Sequence, residues 1–154
     1  MPELAIAVDD LQGPEIAALL QRHLDLMHEI TPAGSVYALD LDHLRVPEIT
    51  FWNARLDGQM ASCVALKQFG VNQGEIKSLH TKKEFRGQGI AHALVSHLIV
   101  EAQKRGLKTL WLETGKTEGF LPAQKLYESF GFTPCGPFGD YAFDPHSFYM
   151  TLEL

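Results

Sequence analysis

Cysteine is almost absent from this chain, with Cys63 and Cys135 the two in 154 residues. Two thiols, without a second pair or suitably spaced histidines, exclude a disulfide scaffold and a structural zinc site. Long apolar runs are missing as well. None approaches the ~20 residues that a membrane-spanning helix needs. The opening stretch MPELAIAVDD lacks a basic region and meets Asp9 and Asp10 too early for a secretory signal, so a cytoplasmic location is expected. Positive charge is in deficit: 13 Lys and Arg stand against 19 Asp and Glu, a net of −6, which argues against a nucleic-acid-binding surface. There are no repeats and no low-complexity segments. What remains, 45% hydrophobic and 10% aromatic residues, is the composition of an ordinary globular protein, and the length predicts one domain over residues 1–154.

The charge is unevenly spread. Residues 1–74 carry 4 basic and 10 acidic side chains, residues 75–108 carry 7 and 3, and residues 109–154 carry 2 and 6. The middle segment, with Lys77, Lys82, Lys83, Arg86, Lys104, Arg105 and Lys108, is a cationic island in an acidic protein. Such an island either focuses an anionic ligand or is a solvated helix flank.

Residues 3–9 alternate as a short strand, and Pro14 opens a helix with apolar positions at Ile16, Leu19, Leu20, Leu24 and Met27. Pro32 and Gly34 end it, and residues 31–48, which show no clean period, are expected to be a loop with room for a short helix. Thr50 to Leu56, Asp57-Gly58 and Met60 to Phe69 read as a hairpin, because Asp-Gly supplies the positive φ angles of a two-residue turn. Glu75 to Thr81 is the next strand. Ile90, Ala91, Leu94, Val95, Leu98, Ile99 and Ala102 then share one helical face, closed by Gly106. Leu107 to Thr114 reads as a buried strand and Pro122 to Phe130 as a helix with Ala123, Leu126, Tyr127 and Phe130 inward, ended by Gly131. Residues 134–146 are a Gly, Pro and aromatic loop, and Phe148, Met150, Leu152 and Leu154 alternate as a last, half-buried strand. The fold class is therefore α/β: an antiparallel meander running into a parallel βαβ unit, with helices on both faces of a mixed sheet.

The stretch Leu79 to Ala91, LHTKKEFRGQGIA, carries the chemistry. It leaves a strand, crosses a basic loop, places Gly87 and Gly89 two apart and enters the clearest helix. Glycine lets backbone approach a ligand, and the first amides of a helix have no internal partners, so an anion such as phosphate is the natural guest. A dinucleotide fingerprint fails here, because its third glycine is His92. Gly115-Lys116-Thr117 imitates the end of a Walker A loop, but the required first glycine is Leu110, inside a strand.

Arg86-Gly87-Gln88-Gly89-Ile90-Ala91 instead resembles the R-x-x-G-x-G/A loop of the GNAT superfamily of acyl-CoA-dependent N-acetyltransferases. Ala123 to Phe132, AQKLYESFGF, resembles the family's A-x-x-L-Y-x-x-x-G-F helix, and residues 35–52 look like those of small bacterial members of unassigned acceptor. The resemblance implies a GNAT-like fold and acetyl transfer from acetyl-CoA to a primary amine, small molecule or peptide, by direct attack in a ternary complex. It also implies roles. Amides of Arg86, Gly87, Gln88, Gly89, Ile90 and Ala91 would wrap the pyrophosphate, and the backbone around Leu79, His80 and Thr81 would pair with the pantetheine arm. Ala91 replaces the commoner glycine, and Lys83 stands where many members have proline.

An amine of pKa near 10.4 is only about one part in 10³ neutral at pH 7.4, a cost of roughly 4 kcal/mol, so a base is needed. Glu75 is the first candidate, directly or through water, against a reading as a surface carboxylate; His80 is the second. Tyr127 stands where relatives carry a tyrosine that protonates the leaving thiolate, against a reading as a core aromatic. Neither cysteine has an evident His partner, so no covalent route is expected. His23, His28, His43, His92 and His97 lack metal spacing, and no metal is expected. The acceptor is expected between the first helix with its following loop and the loop before the last strand. There Phe138, Asp140, Tyr141, Phe143 and His146 either cradle an amine or form a packed loop. A homodimer through an open sheet edge is plausible on this pattern. The other function these residues fit is a catalytically silent acyl-CoA sensor.

Overall fold

The computed structural model describes residues 3–154. Seven strands form one mixed sheet in the order β1-β2-β3-β4-β5-β7-β6. β1 (Leu4–Val8), β2 (Ile49–Leu56), β3 (Gln59–Phe69) and β4 (Gln73–Thr81) run antiparallel, each to the next. The β2–β3 turn is the expected Asp57-Gly58, with both residues at positive φ, 50° and 82°. β5 (Thr109–Gly115) lies parallel to β4, as a helical crossover requires, and β7 (Ser147–Glu153) and β6 (Thr133–Cys135) complete the sheet. β6 is three residues paired to β7 inside the stretch expected to be loop; so short a strand, containing Pro134, leaves no period in the sequence.

Helices cover both faces. α1 (Pro14–Ile30) begins with proline at its first position, where the missing N–H costs nothing. It packs Ile16, Leu19 and Leu20 on Phe51, Met60, Cys63 and Ala65, together with Leu44 of α2 (Leu41–Leu44), the short helix within residues 31–48. His23, rather than Leu24, takes the next fully buried place on α1. α3 (Ile90–Lys104) and α4 (Leu121–Ser129) pack on the opposite face against Val64, Leu66, Ile76, Leu110, Leu112 and Met150. Tyr127 is the one fully buried residue of α4, and Phe132 closes the layer after Gly131 turns the chain at φ 97°.

α3 shows what the packing is for. Its N-cap is Gly89 at φ 79°, with no side-chain capping bond. A capping side chain contributes about 1 kcal/mol. Burial of Ile90, Leu94, Val95 and Leu98, each contributing about 1.5–3 kcal/mol, more than offsets its absence. The helix thus stands without a cap, and its first amides stay free. No helix among the described residues is long and apolar enough to cross a membrane.

Candidate active site

The sheet splits at its centre. β4 and β5 pair only from Gln73↔Thr109 to Ile76↔Leu112; beyond that, β4 stays with β3 and β5 with β7. The split begins where β4 carries a bulge. The β3–β4 register shifts between Cys63 and Ala65, and Ser78 sits at φ 56°. A bulge adds twist, so the two parallel strands diverge. A cavity of about 520 Å³ follows the split, walled by α1, residues 30–38, the end of β4, the start of α3, the end of β5 and α4.

One end is made of backbone. Gly87 and Gly89 hold φ 77° and 79°, which an L side chain rarely adopts, and a Cβ on either would meet nothing within 4 Å. The glycines therefore serve conformation, not close packing. Arg86, Gly87, Gly89, Ile90 and Ala91 line the cavity, while Gln88 is exposed and off its wall. Amides without helical partners, the helix dipole and the charges of Lys82, Lys83 and Arg86 are together the features that favour an anion. Leu79, His80 and Thr81 lead into it along the wall. The His80 carbonyl accepts from Ser62 Oγ at 2.8 Å on the β3 side, and strand alternation turns the main-chain groups of Leu79 and Thr81 to the split. Arg86 Nε donates to the Thr81 carbonyl at 3.2 Å.

The other end is made of side chains. Glu75 is buried, 5% exposed, and not the surface carboxylate of the plainer reading. Its Oε2 accepts from Lys77 Nζ at 3.0 Å and from the Tyr141 hydroxyl at 2.6 Å, and Lys77 also donates to Tyr141 at 2.9 Å. Burial and then the Glu75 charge push the Tyr141 phenol up, so it stays a donor. Glu113 faces this cluster from β5 across the split and lines the same cavity. Burial pushes its carboxyl up to about 7, so near neutrality it can take and release a proton. The sequence reading passed over Glu113. Its signal was a single carboxylate inside the apolar run Leu110-Trp111-Leu112-Glu113. Tyr127 lines the cavity from α4, and burial pushes its phenol up, which keeps it protonated as a proton donor must be.

Between the two ends lies a pair that no spacing in the sequence announces. His23 of α1 and His80 of β4 meet Nδ1 to Nδ1 at 3.2 Å, both buried and both on the cavity wall. Burial, then each one's charged neighbours, lowers His23 to about 3 and His80 to about 4, so both are neutral. No group of three or more possible metal ligands exists among the described residues.

The loop before β7 is a packed support, not a pocket wall. Phe138 is buried and stacked on Trp111 and Phe69, Tyr141 holds Glu75 and Lys77 from behind, and Asp140, Phe143 and His146 are exposed. Its contribution to the cavity is indirect. Asp144 accepts from Ser35 Oγ at 3.1 Å and from the Tyr37 hydroxyl at 2.6 Å, pinning the segment that roofs the cavity. Those bonds, Tyr37's foremost, hold the Asp144 carboxyl below its usual range.

Two further features of the sequence resolve. Gly115 is where it is for packing, since a Cβ there would fall 2.1 Å from the Phe120 ring. Thr117 Oγ1 donates to the Ile30 carbonyl at 2.9 Å, tying the segment to α1. The cationic island divides: Lys82, Lys83 and Arg86 stand at the start of α3, whereas Lys104, Arg105 and Lys108 stand at its far end, ~22 Å away along the helix. Arg105 there bonds Thr50 and Gln68 at 2.8 and 2.9 Å, a structural tie.

Known proteins share this plan. The family model of the acetyltransferase (GNAT) family matches residues 16–132. The uncharacterized N-acetyltransferase YsnE of Bacillus subtilis (strain 168) is 47% identical over 149 residues, covering 97% of this chain and 99% of its own. A crystal structure from Klebsiella pneumoniae subsp. pneumoniae MGH 78578, assigned as an acyl-CoA N-acyltransferase, is 26% identical with a TM-score of 0.79, covering 98% of this chain and 97% of that one. A GNAT family acetyltransferase from Elizabethkingia anophelis, solved with acetyl-CoA bound, has a TM-score of 0.72 at 18% identity and covers 98% of each chain, a likeness of fold. The split sheet, the glycine loop at the start of α3 and a family match spanning both lead to one conclusion: this chain belongs to the GNAT acetyltransferase family.

Proposed function

We propose that the chain moves an acetyl group from acetyl-CoA to a primary amine, by direct attack within a ternary complex. One observation carries this: a single cavity joins a backbone loop suited to an anion to a buried tyrosine, the buried Glu75 and the half-buried Glu113. The residues suit acetyl-CoA. Arg86 to Ala91 offer amides and positive charge for its pyrophosphate, and Leu79 to Thr81 offer a freed strand edge for its amide-bearing arm, in the manner of an added strand. The thioester supplies the activated acyl group.

Around it, the chain's own residues divide the proton work. Glu113 accepts the proton that the amine must lose as its nitrogen bonds to the acyl carbon. Glu75, the first candidate from the sequence, already shares Oε2 with Lys77 and Tyr141. It acts through water or holds Lys77 in place, and Glu75→Gln beside Glu113→Gln separates the two. Tyr127 gives its proton to the departing sulfur as the C–S bond breaks. Two free cysteines suit a reducing, cytoplasmic setting, and the uncovered edge of β1, with Leu4 and Val8 exposed, suits pairing with a second copy.

Calorimetric titration with acetyl-CoA, in parallel with ATP and magnesium, followed by thiol release across an amine panel, tests the proposal. Micromolar binding with release for some amine is the expected result. Binding without turnover across a broad panel would make the chain an acyl-CoA sensor, and no binding would remove the loop assignment.

A further inference from the structure

We infer that the acceptor is a small monoamine with an uncharged, apolar body, aromatic or branched alkyl, seated against the last two turns of α1. This rests on the acetyl-transfer reading above. The buried stripe of α1 runs through Ile16, Leu19, Leu20 and His23, and the same helical spacing continues it through Leu26, Met27 and Ile30. The two halves meet different neighbours. Ile16, Leu19 and Leu20 pack on β2 and β3, and His23 meets His80 of β4, whereas Leu26, Met27 and Ile30 belong to neither core cluster, are half-buried and line the cavity. Their place is fixed from behind. Thr117 Oγ1 donates to the Ile30 carbonyl at 2.9 Å, and Gly119 lies so close that a Cβ there would fall 2.9 Å from Ile30 Cδ1. Val36 and Phe120 line the same cavity, and Tyr37, its hydroxyl taken by Asp144, is left with its ring to offer. Apolar surface held in place without a protein partner suits an apolar guest.

The charges on the wall point the same way. It carries two carboxylates, Glu75 and Glu113. Glu75 is paired with Lys77 at 3.0 Å, both side chains under a tenth exposed, which leaves Glu113 for the reacting amine. His23 and His80 are held neutral by burial. A second ammonium on the acceptor would therefore find no free carboxylate. A carboxylate on it would meet Glu75 and Glu113 beside a lysine that is already neutralised. Either would be a desolvated charge without a partner. A monoamine leaves none. Its nitrogen bonds to the acyl carbon, the carbon–sulfur bond breaks, the nitrogen's proton passes to Glu113 and that of Tyr127 to the sulfur, and the product is an uncharged amide.

Thiol release and calorimetry on one amine panel test this. Phenylethylamine and isoamylamine stand against putrescine, spermidine, free lysine and a short peptide with an open N-terminus. The expected kcat/KM for the two apolar monoamines is at least about 100-fold above that of every other member. Titrated into the protein–CoA complex, the monoamines should bind and putrescine should not, a readout apart from turnover. Met27→Glu sets a carboxylate on the stripe: kcat/KM for phenylethylamine should fall by about 10- to 100-fold and that for putrescine should rise, with acetyl-CoA affinity within about threefold of wild type. Met27→Leu, which keeps the surface apolar, should retain the wild-type order. A wild type that prefers putrescine, spermidine, lysine or the peptide, or a CoA complex that binds neither monoamine, overturns the assignment while leaving acetyl transfer intact. So does a Met27→Glu variant that keeps the amine order and instead loses activity with butyryl-CoA, since the stripe would then hold the acyl chain. Failure of the wild-type chain to bind acetyl-CoA overturns the acetyl-transfer reading and this one with it.

Discussion

The two ends of the cavity solve the same problem, holding a polar guest, with opposite materials. At the start of α3, an exposed loop leads into main-chain amides with no helical partner, and two glycines at positive φ set its shape. At the far end, Glu75, Lys77, Glu113 and Tyr141 come from two strands and a loop spanning 67 positions, and side-chain bonds hold Glu75, Lys77 and Tyr141 together. Backbone recognition tolerates change in every side chain except glycine, so it suits a ligand that many proteins share. Side-chain recognition is specific and costly, since each buried charge must find a partner. On the proposed reading, the loop end is therefore the generic one, and the side-chain end is the one that selects an acceptor.

Removing the proposed proton acceptor is the strongest way to break that division. Glu113→Gln keeps size and hydrogen-bonding capacity but cannot take a proton, and it is expected to lower kcat by about 10²- to 10⁴-fold with little change in acetyl-CoA affinity. In the wild type, kcat/KM should rise through about pH 7 as Glu113 ionises; in the variant that limb should vanish. The stability sign is opposite. The folded-state pKa lies above the unfolded one, so the contribution is fully present below about pH 4.5 and is lost as pH rises through about 7. At pH 8 Glu113→Gln should melt higher than wild type. A pH profile that keeps its limb in Glu113→Gln and loses it in Glu75→Gln would return the role to Glu75.

A smaller effect sharpens the generic end. Gly89→Val places a β-branched side chain at φ 79°, where a Cβ meets nothing within 4 Å, so the cost is conformational, about 1–2 kcal/mol. The core face of α3 keeps the chain folded, and the first turn rearranges. Affinity for acetyl-CoA and for CoA should fall together by about tenfold, while the acceptor's KM stays within twofold, as read by calorimetry and steady-state kinetics. A loss confined to acetyl-CoA, sparing CoA, would mean that the loop reads the acyl group and not the phosphates.

The same division explains what could be read in advance. Local features were legible: the Asp57-Gly58 turn, the stripe from Ile90 to Ala102, the Gly106 stop and the loop Arg86 to Ala91 each occupy one short stretch, and backbone physics fixes them there. The acceptor end was only partly so. Glu75 and the segment after α1 line the cavity, whereas Tyr141, which the sequence left open between cradling an amine and packing in its loop, stands behind Glu75. Glu113 went unread because a carboxylate in a strand acquires its raised pKa from burial among residues far away in sequence. The cationic island misled for the same reason: six of its seven charges, close in sequence, stand at opposite ends of a helix, and the seventh, Lys77, is tied to Glu75 in the sheet.

The mildest test concerns His23 and His80, the one contact that joins α1 to β4 by side-chain nitrogens. Free imidazoles titrate near 6.5, whereas burial lowers these to about 3 and about 4. As pH falls below 6.5 the unfolded chain binds protons that the folded chain refuses. The pair's contribution is thus complete above pH 6.5 and declines toward pH 4, with a slope approaching two protons. The loop at the start of α3 has no buried titratable group among the described residues, so acid should loosen the α1 wall first. His23→Gln retains an amide that can bond His80 but does not titrate, and it should bring the slope of unfolding free energy between pH 6.5 and 4.5 down by about one proton. Urea melts at half-unit pH steps measure this directly. A slope unchanged in His23→Gln would mean that the pair opens and protonates within the folded state, and hydrogen exchange at acid pH would then show α1 parting from β4 before the sheet unfolds.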